Sequence, residues 1–307
     1  MLLSINGATQ AYLANLDRTQ QRINQATSEV SSGYSVQQPS DNPAVVPEVY
    51  QEQADIGQNQ QVQSNLTSVS SELETADTSL QNAIQAVENA ATLAEQGGSS
   101  TSSADNRASM AQAVAGLQQS LVSIANTTFN GRYIFSGDQD ASPAYQLDSA
   151  QPNGVAQVAT ASSTRAIVDA SGTAISVAKT AQQIFDARNA DGSYASGNVF
   201  AAVNSLLTAL NNNDQTGIAN AASSLQSADT YLNQQLAYYG EAEDRISAAS
   251  SLAQKFQTQQ KTQIGNLRDA DIPSVALQLS QAQVAQQAAL SAEASIEQSK
   301  NLFSYLG

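Results

Sequence analysis

The sequence predicts a mainly α protein: an elongated helical rod with coaxial N- and C-terminal coiled-coil helices, a long-helix bundle and a small β-containing outer domain. Three observations support this fold class. Apolar residues recur at spacings of three and four over long stretches at both ends and in the middle of the chain. The 307 residues include only 10 Tyr, 6 Phe and no Trp, which leaves little large apolar surface for a compact core. One stretch rich in Gly, Pro and Asp interrupts the helical pattern and carries short β-prone runs.

The first helix is predicted from a heptad pattern near the N-terminus. Its core positions are Ile5, Thr9, Tyr12, Leu16, Thr19, Ile23, Ala26 and Val30. The pattern stops at Gly33, and glycine commonly terminates helices because it adopts the left-handed conformation without strain. Prolines at positions 39, 43 and 47 then exclude an uninterrupted helix, so residues 31–47 are predicted to form a structured hinge or loop.

A helical bundle is predicted from the middle of the chain. The heptad pattern restarts at Val62 and ends at the glycines at 97 and 98, and a second helix is predicted from a cap at Ser103 or Asp105 to about residues 126–130. A turn rich in Gly and Ser joins the two, so they are expected to form an antiparallel hairpin. Helical spacing returns over residues 199–210, and another long helix is predicted from Leu225 to about Leu267.

A small β-containing insertion is predicted at residues 132–197. Short β-prone runs stand at 133–135, 154–158, 165–169 and 173–177, separated by Asp, Gly, Pro and Ser. Gly131 and Gly137 flank the first run and are interpreted as domain-junction turns, because glycine permits backbone angles closed to other residues. A phosphate-cradling loop is the alternative, but the Lys, the Ser/Thr and the following helix of a nucleotide motif are missing.

The last helix is predicted beyond Pro273, which interrupts the helix before it. Its heptad positions are Val275, Leu279, Ala282, Ala289, Ile296 and Phe303. The chain therefore ends as it begins, and the two terminal helices are expected to meet. The predicted domains are the terminal coiled-coil helices at 1–40 and 268–307 (inner domain), a helical bundle at 41–131 and 198–267, and the insertion at 132–197.

Composition excludes several classes of function. The chain has no His and no Cys, so it cannot form a Ser-His-Asp or Cys-His nucleophile system, an ordinary zinc, copper or iron–sulfur site, or a disulfide. Its formal net charge of −15 repels a phosphate backbone, so no nucleic acid partner is expected. No apolar stretch is long enough for membrane insertion, and the N-terminus lacks the features of a cleaved secretion signal.

Two carboxylate pairs are the candidates for a chemical site. Asp269 and Asp271 stand just before a proline and are more typical of a helix break or cap than of an acid–base pair. Asp138 and Asp140 are spaced as at the start of a calcium loop, but the Gly and Glu that such a loop needs at its sixth and twelfth places are missing. We therefore predict no enzyme activity, no catalytic or metal-binding residue and no cofactor.

The terminal helices are predicted to be assembly surfaces. A narrow seam rich in Ala, Thr and Gln buries few large side chains, whereas ordering the backbone costs roughly 1–2 kcal/mol per residue. The ends are therefore expected to be loose in the isolated chain and to become stable when other copies supply apolar faces, and head-to-tail contacts of this kind build rings or tubes. The predicted interface residues are Ile5, Tyr12, Leu16, Ile23, Val30, Val275, Leu279, Ala289, Ile296, Phe303 and Leu306. The predicted domain-junction turns are at Gly33, Pro43, Gly131, Gly137 and Pro273.

Four strings of the sequence resemble the flagellin superfamily. They are S-S-G at 31–33 followed by P-S-D-N-P-A at 39–44, N-G-R-Y-I-F-S-G at 130–137, R-D-A-D-I at 268–272 and L-F-S-Y-L at 302–306. The first and third occur in flagellins generally, whereas the second and fourth are similar to the hook-associated protein 3 family of hook–filament junction proteins. One departure is that Asp41 and Asn42 stand where paired acids are frequent in flagellin-like chains.

This resemblance implies a structural protein at the hook–filament junction of the bacterial flagellum, extracellular and secreted by type III export without a cleaved signal peptide. The implied partners are copies of itself in a ring, the first junction protein (hook-associated protein 1), flagellin, and an export chaperone at the C-terminal helix. Flagellin itself, the filament subunit, is one alternative. A secreted adhesin or hydrolase module on the 132–197 tip is another, although the acidic residues there are dispersed among turn residues.

Overall fold

The computed structural model describes the backbone of residues 7–160 and 162–305, and the side chains of residues 10–160 and 162–295. These ranges contain seven α-helices: α1 (Gly7–Ser32), α2 (Val46–Gly98), α3 (Ala104–Ala125), α4 (Ala181–Phe185), α5 (Val199–Asn211), α6 (Gln215–Arg268) and α7 (Ile272–Tyr305). They also contain six short strands: β1 (Thr128–Phe129), β2 (Arg132–Tyr133), β3 (Tyr145–Leu147), β4 (Val155–Gln157), β5 (Ala166–Val168) and β6 (Ala174–Ser176). The predicted mainly α class is confirmed.

The chain divides into two compact units. The terminal unit comprises the described residues of Met1–Gln58 and Gln257–Gly307, and therefore contains α1, α7 and the loops that follow and precede them. The central unit comprises Asn59–Phe256 and contains the helical bundle together with the strands. The boundaries of the three domains predicted from the sequence stay a prediction.

The helices of the central unit pack through a heptad seam. In α2 the large buried residues recur every seven positions, at Leu66, Leu73, Leu80 and Val87. In α6 they again recur every seven positions, at Leu225, Leu232, Tyr239 and Ile246. Buried alanines stand between them on both helices, and α3 and α5 add their own apolar faces to the same cluster. Tertiary burial of one narrow face therefore stabilises these long helices, since most helical stability in proteins comes from packing.

Two helices carry a proline in their first turn, at positions where the sequence analysis expected a loop or a helix break. Residues 31–47 were expected to be non-helical, but α2 begins at Val46, so that Pro47 stands in its first turn. Pro273 occupies the same place in α7, which begins at Ile272. Proline is tolerated there because the first N–H groups of a helix have no intrahelical partner to lose. Ser103 caps α3, as one of the two predicted candidates, and its hydroxyl accepts from the backbone N–H of Asn106 at 3.2 Å.

The six strands form three separate two-stranded antiparallel sheets, β1–β2, β3–β4 and β5–β6, and all of them except β1 lie within the predicted insertion. The β1–β2 hairpin turns at Asn130 and Gly131, whose φ angles are 50° and 78°, as a two-residue turn of type I′ requires. Three of the predicted β-prone runs contain β4, β5 and β6. The run at 133–135 is different, because Ile134 and Phe135 leave the strand and are buried in the core. The sequence did not predict β3 or the short helix α4.

A buried carboxylate ties the insertion to the start of α5. Asp186 is fully buried, and its Oδ2 accepts from the Tyr145 hydroxyl at 3.0 Å and from the Arg188 guanidinium at 2.8 Å. Its Oδ1 accepts from the side-chain amides of Asn153 at 3.2 Å and of Asn198, the N-cap of α5, at 2.7 Å. Burial, and then the adjacent Asp186, raise the pKa of Tyr145 far above its usual value, so this hydroxyl stays a donor.

Candidate assembly interface

Helices α1 and α7 lie side by side and run in opposite directions in the terminal unit. The Tyr12 hydroxyl donates to the carbonyl of Ala289 at 3.2 Å, and the side-chain amide of Gln286 donates to that of Gln20 at 2.7 Å. Interaction with the nearby carboxylate of Glu293 raises the pKa of Tyr12 above its usual value. The two terminal helices therefore meet, as the sequence predicted.

The predicted interface residues whose side chains are described lie in or at the end of the seam between these helices. The half-buried ones are Tyr12, Leu16, Ile23, Leu279 and Ala289. Val275 is buried, whereas Val30, near the end of α1, is 37% exposed. Ile5 and Leu306 lie outside the described residues, and Ile296 and Phe303 lie in the part of α7 whose side chains are not described. The role of these residues in assembly stays a prediction.

The opposite side of α7 carries a second apolar row that the sequence analysis missed. It consists of Leu277, Val284 and Ala288, which we call the outer stripe. Leu277 is 60% exposed and Val284 is 64% exposed, although both are large and apolar. Their spacing of seven and four places them on one face, turned away from the Val275 side by roughly half a turn. The signal was available in the sequence, since the stripe is a second heptad row displaced by two positions from the first.

A short bridge joins the segments next to the two helices, and we call it the junction clamp. It consists of residues 33–36, which follow α1, and residues 268–270, which precede α7. The backbone N–H of Ser35 donates to the carbonyl of Arg268 at 2.7 Å, and the N–H of Ala270 donates to the carbonyl of Gly33 at 2.9 Å. The guanidinium of Arg268 lies over the Tyr34 ring, 3.7 Å from its centre, in a cation–π contact. Gly33 has a φ of 78°, which glycine adopts without strain.

The loop after the clamp is closed by Asp41. Its carboxylate accepts from the backbone N–H groups of Gln37 at 2.9 Å and of Gln38 at 2.8 Å. These two hydrogen bonds lower the pKa of Asp41 below its usual value, with the bond from Gln38 as the larger cause. The single acid at this position therefore organises the loop, and Pro43 lies in the turn that follows it.

The other predicted junction turns lie at the insertion and at the start of α7. Gly131 closes the β1–β2 hairpin, and Pro273 stands in the first turn of α7. Gly137 has a φ of 59°, and a Cβ placed on it would come within 2.7 Å of the carbonyl oxygen of Ser162. The geometry at Gly137 thus requires glycine both for its backbone angle and for this close approach.

The acidic residues of the insertion serve turns and the core. Asp138 accepts from Thr164, Asp169 from Ser171 and Asp191 from Ser193, in each case including a backbone N–H group. Among the described residues no group of three or more carboxylates could hold a metal ion. Within the same part of the chain, no helix is both long and apolar enough to cross a bilayer. The backbone of Asp269 forms a β-bridge with that of Tyr34, so this residue is part of the connection before α7.

The chain is similar to flagellar proteins, in part of its sequence and in its fold. Residues 3–140 match the family model of the bacterial flagellin N-terminal helical region. A comparison with curated protein sequences gives no match. The predicted resemblance to the flagellin superfamily is confirmed over residues 3–140 by the family-model match.

Three solved structures share the fold. A chain assigned as a flagellar hook-associated protein of Vibrio parahaemolyticus has a TM-score of 0.65 and 16% identity, and the match covers 75% of this chain and 100% of that one. Flagellar hook-associated protein 3 of Legionella pneumophila has a TM-score of 0.61 and 14% identity, over 71% of this chain and 98% of that one. The flagellar junction protein FlgL of Legionella pneumophila has a TM-score of 0.57 and 13% identity, over 72% and 98%.

Proposed function

We propose that this chain, which carries the helical N-terminal region of flagellins and the fold of solved hook-associated protein 3 chains, is a structural subunit that joins hook to filament in the bacterial flagellum. The observation that carries the proposal is that α7 has two opposite apolar faces. One face packs on α1 through Val275 and Leu279, and the other exposes Leu277 and Val284.

A helix with two apolar faces needs two helical partners. The first partner, α1, comes from the same chain, and the outer stripe is left for a partner from outside it. A second copy of the chain supplies this partner most simply. The contact of the stripe with a different surface on the next copy is heterologous, and such contacts build a ring where the rotation between copies closes. A ring of copies is the assembly expected of a junction component.

The remaining partners follow from the likeness to the junction proteins. We assign the surfaces at either side of the ring to the first junction protein, hook-associated protein 1, and to flagellin. An export chaperone is assigned to the C-terminal helix, which must be kept from associating before assembly. The subunit is then extracellular and reaches the junction through type III export. We assign it no catalytic activity, since its insertion carboxylates accept hydrogen bonds in turns and in the core.

The outer stripe provides the test of the junction role. In cells that depend on this chain, we expect Leu277→Asp/Val284→Asp to abolish motility and to release unassembled flagellin into the medium, because each charge would have to be buried in the ring. The matched control is Ala276→Asp/Gln283→Asp. These two exposed positions precede the stripe residues by one and are rotated by about 100° around the helix.

The control is expected to keep motility, and circular dichroism of both purified variants is expected to show unchanged helix content. Normal motility and firmly attached filaments with the stripe variant would contradict the proposal. The alternative role as flagellin is tested on the unmodified chain, since a purified protein that polymerises alone into long filaments is a filament subunit and not a junction component.

A further inference from the structure

We propose that the junction clamp sets the register of the α1–α7 pair and prevents α1 from sliding by one heptad along α7. This inference concerns the isolated chain and goes beyond the flagellar role proposed above. It rests on three observations within the terminal unit: a seam that discriminates poorly between registers, a long tether on α1 alone, and clamp contacts that agree with the observed register.

The seam itself specifies register only weakly. Its only buried side chains in the described parts of α1 and α7 are Ala26, Val275 and Ala282, two of them alanines. An open groove of about 540 Å³ runs between the helices, lined on α1 by Thr19, Arg22 and Ala26 and on α7 by Gln278, Ala282 and Ala285, among others. The groove is lined only by polar side chains and alanines. Because the apolar positions repeat every seven residues, a slide of one heptad, about 10 Å, places Ile23 where Leu16 was and keeps the apolar faces in contact.

The connections of the two helices differ in length. Only residues 269–271 separate α7 from α6, so the start of α7 is fixed by the end of α6. Residues 33–45 separate α1 from α2, and a segment of that length can extend to about 40 Å. Sliding of α1 by about 10 Å toward the C-terminal end of α7 therefore meets no covalent restraint. The clamp joins this tether to residues 268–270 at the point where the tether leaves α1.

The residue pairing in the clamp agrees with the residue pairing between α1 and α7. In an antiparallel pair the two residue numbers of facing positions have a constant sum. That sum is 301 for Tyr12 with Ala289, 306 for Gln20 with Gln286, and 303 for the β-bridge of Tyr34 with Asp269. The three values differ by at most five residues, which is less than the seven residues by which a slide of one heptad would change the two helix pairings. The Ser28 and Ser32 hydroxyls also contact the side chain of Gln37, so the tether is folded back onto the last turns of α1.

The absence of cysteine from the chain allows register to be read by cross-linking. Gln20→Cys/Gln286→Cys reports the observed register, in which the two native side chains are hydrogen-bonded. Thr27→Cys/Gln286→Cys reports the register displaced by one heptad. A short bis-thiol reagent is added to dilute full-length protein, and the intramolecular products are quantified by mass spectrometry. The ratio of the two products measures the ratio of registers, whatever fraction of the helices is paired.

With the clamp intact, we expect the 20–286 product alone. Tyr34→Ala/Ser35→Pro removes the ring over Arg268 together with the N–H and the hydroxyl that donate to its carbonyl. In that background we expect loss of the 20–286 product and appearance of the 27–286 product. An unchanged ratio would overturn the proposal. Loss of both products would overturn it as well, because the clamp would then hold the helices together and not select their register.

Two further variants serve as controls for the effect of the clamp variant. Tyr50→Ala/Ser40→Ala alters one tyrosine and one serine of the same unit outside the clamp, and it is expected to keep the 20–286 product. Tyr34→Ala/Ser35→Ala/Val36→Pro opens the clamp by another route, since the Val36 N–H donates to the Arg268 carbonyl at 3.3 Å. It replaces the first clamp variant if circular dichroism shows that the first has lost helix, and the same shift of product is expected from it.

Discussion

At the scale of single residues, the acidic side chains of the insertion are of two kinds. Asp138, Asp169 and Asp191 are held by neighbouring hydroxyl and N–H groups at the surface. Asp186 is fully buried and accepts from four different side chains, one of them the N-cap of α5. A buried carboxylate that loses its charge leaves several donors unsatisfied at once, so its contribution to stability is much larger than that of a turn acid.

Asp186→Asn is therefore expected to lower the free energy of unfolding by roughly 2–4 kcal/mol. The amide NH₂ that replaces one carboxylate oxygen is a donor, so it cannot accept from Tyr145 or, in the other orientation, from Asn153 and Asn198. Urea unfolding followed by circular dichroism measures the change. Asp191→Asn is the matched control, an exposed acid of the same insertion, and it should change the free energy by no more than about 0.5 kcal/mol. Equal effects of the two substitutions would show that the buried hydrogen bonds of Asp186 carry no special weight.

At the scale of elements, periodicity determined what could be predicted. Long helices bury one face at intervals of seven, so Leu73 in α2 and Leu232 in α6 were predictable as core. The two-residue turn at Asn130 and Gly131 was visible as a glycine-dependent turn. Strand β3 was not, because it has only three residues and its pairing with β4 depends on contacts distant in sequence. The assembly surface was predicted on one face of α7 only, since a second row displaced by two positions is hidden among Gln and Ala.

The seams of the central and terminal units should respond differently to truncation. Leu73 is 2% exposed and belongs to the buried cluster of the central unit, so Leu73→Ala is expected to destabilise this unit by about 2–5 kcal/mol through lost burial and a residual cavity. Leu16→Ala removes a half-buried side chain beside an open groove and should cost about 1 kcal/mol or less. Urea unfolding curves of the two variants provide the measurement. A Leu16→Ala effect as large as that of Leu73→Ala would contradict a weak terminal seam.

At the scale of the whole molecule, burial is distributed unevenly between the two units. Among the described side chains, the buried apolar ones of the terminal unit are Ala26, Val49, Val275 and Ala282, and all the others lie in the central unit. In the described parts of α1 and α7, only small side chains are thus fully buried. Since ordering costs roughly 1–2 kcal/mol per residue, the terminal pair gains little stability from its own contacts. Its outer stripe must be covered before it becomes as stable as the bundle.

Hydrogen exchange of the isolated chain tests this distribution. We expect the amides of α1 and α7 to exchange much faster than those of α3 and of the central parts of α2 and α6, because opening the terminal pair exposes little apolar surface. In assembled rings the same α1 and α7 amides should become protected, whereas Leu277→Asp/Val284→Asp should leave them fast under identical conditions. Equal protection of the terminal and central helices in the lone chain would mean that the terminal pair is already stable without a neighbour. The exposed stripe would then be a tolerated surface feature, and the link from weak ends to assembly would fail at its first step.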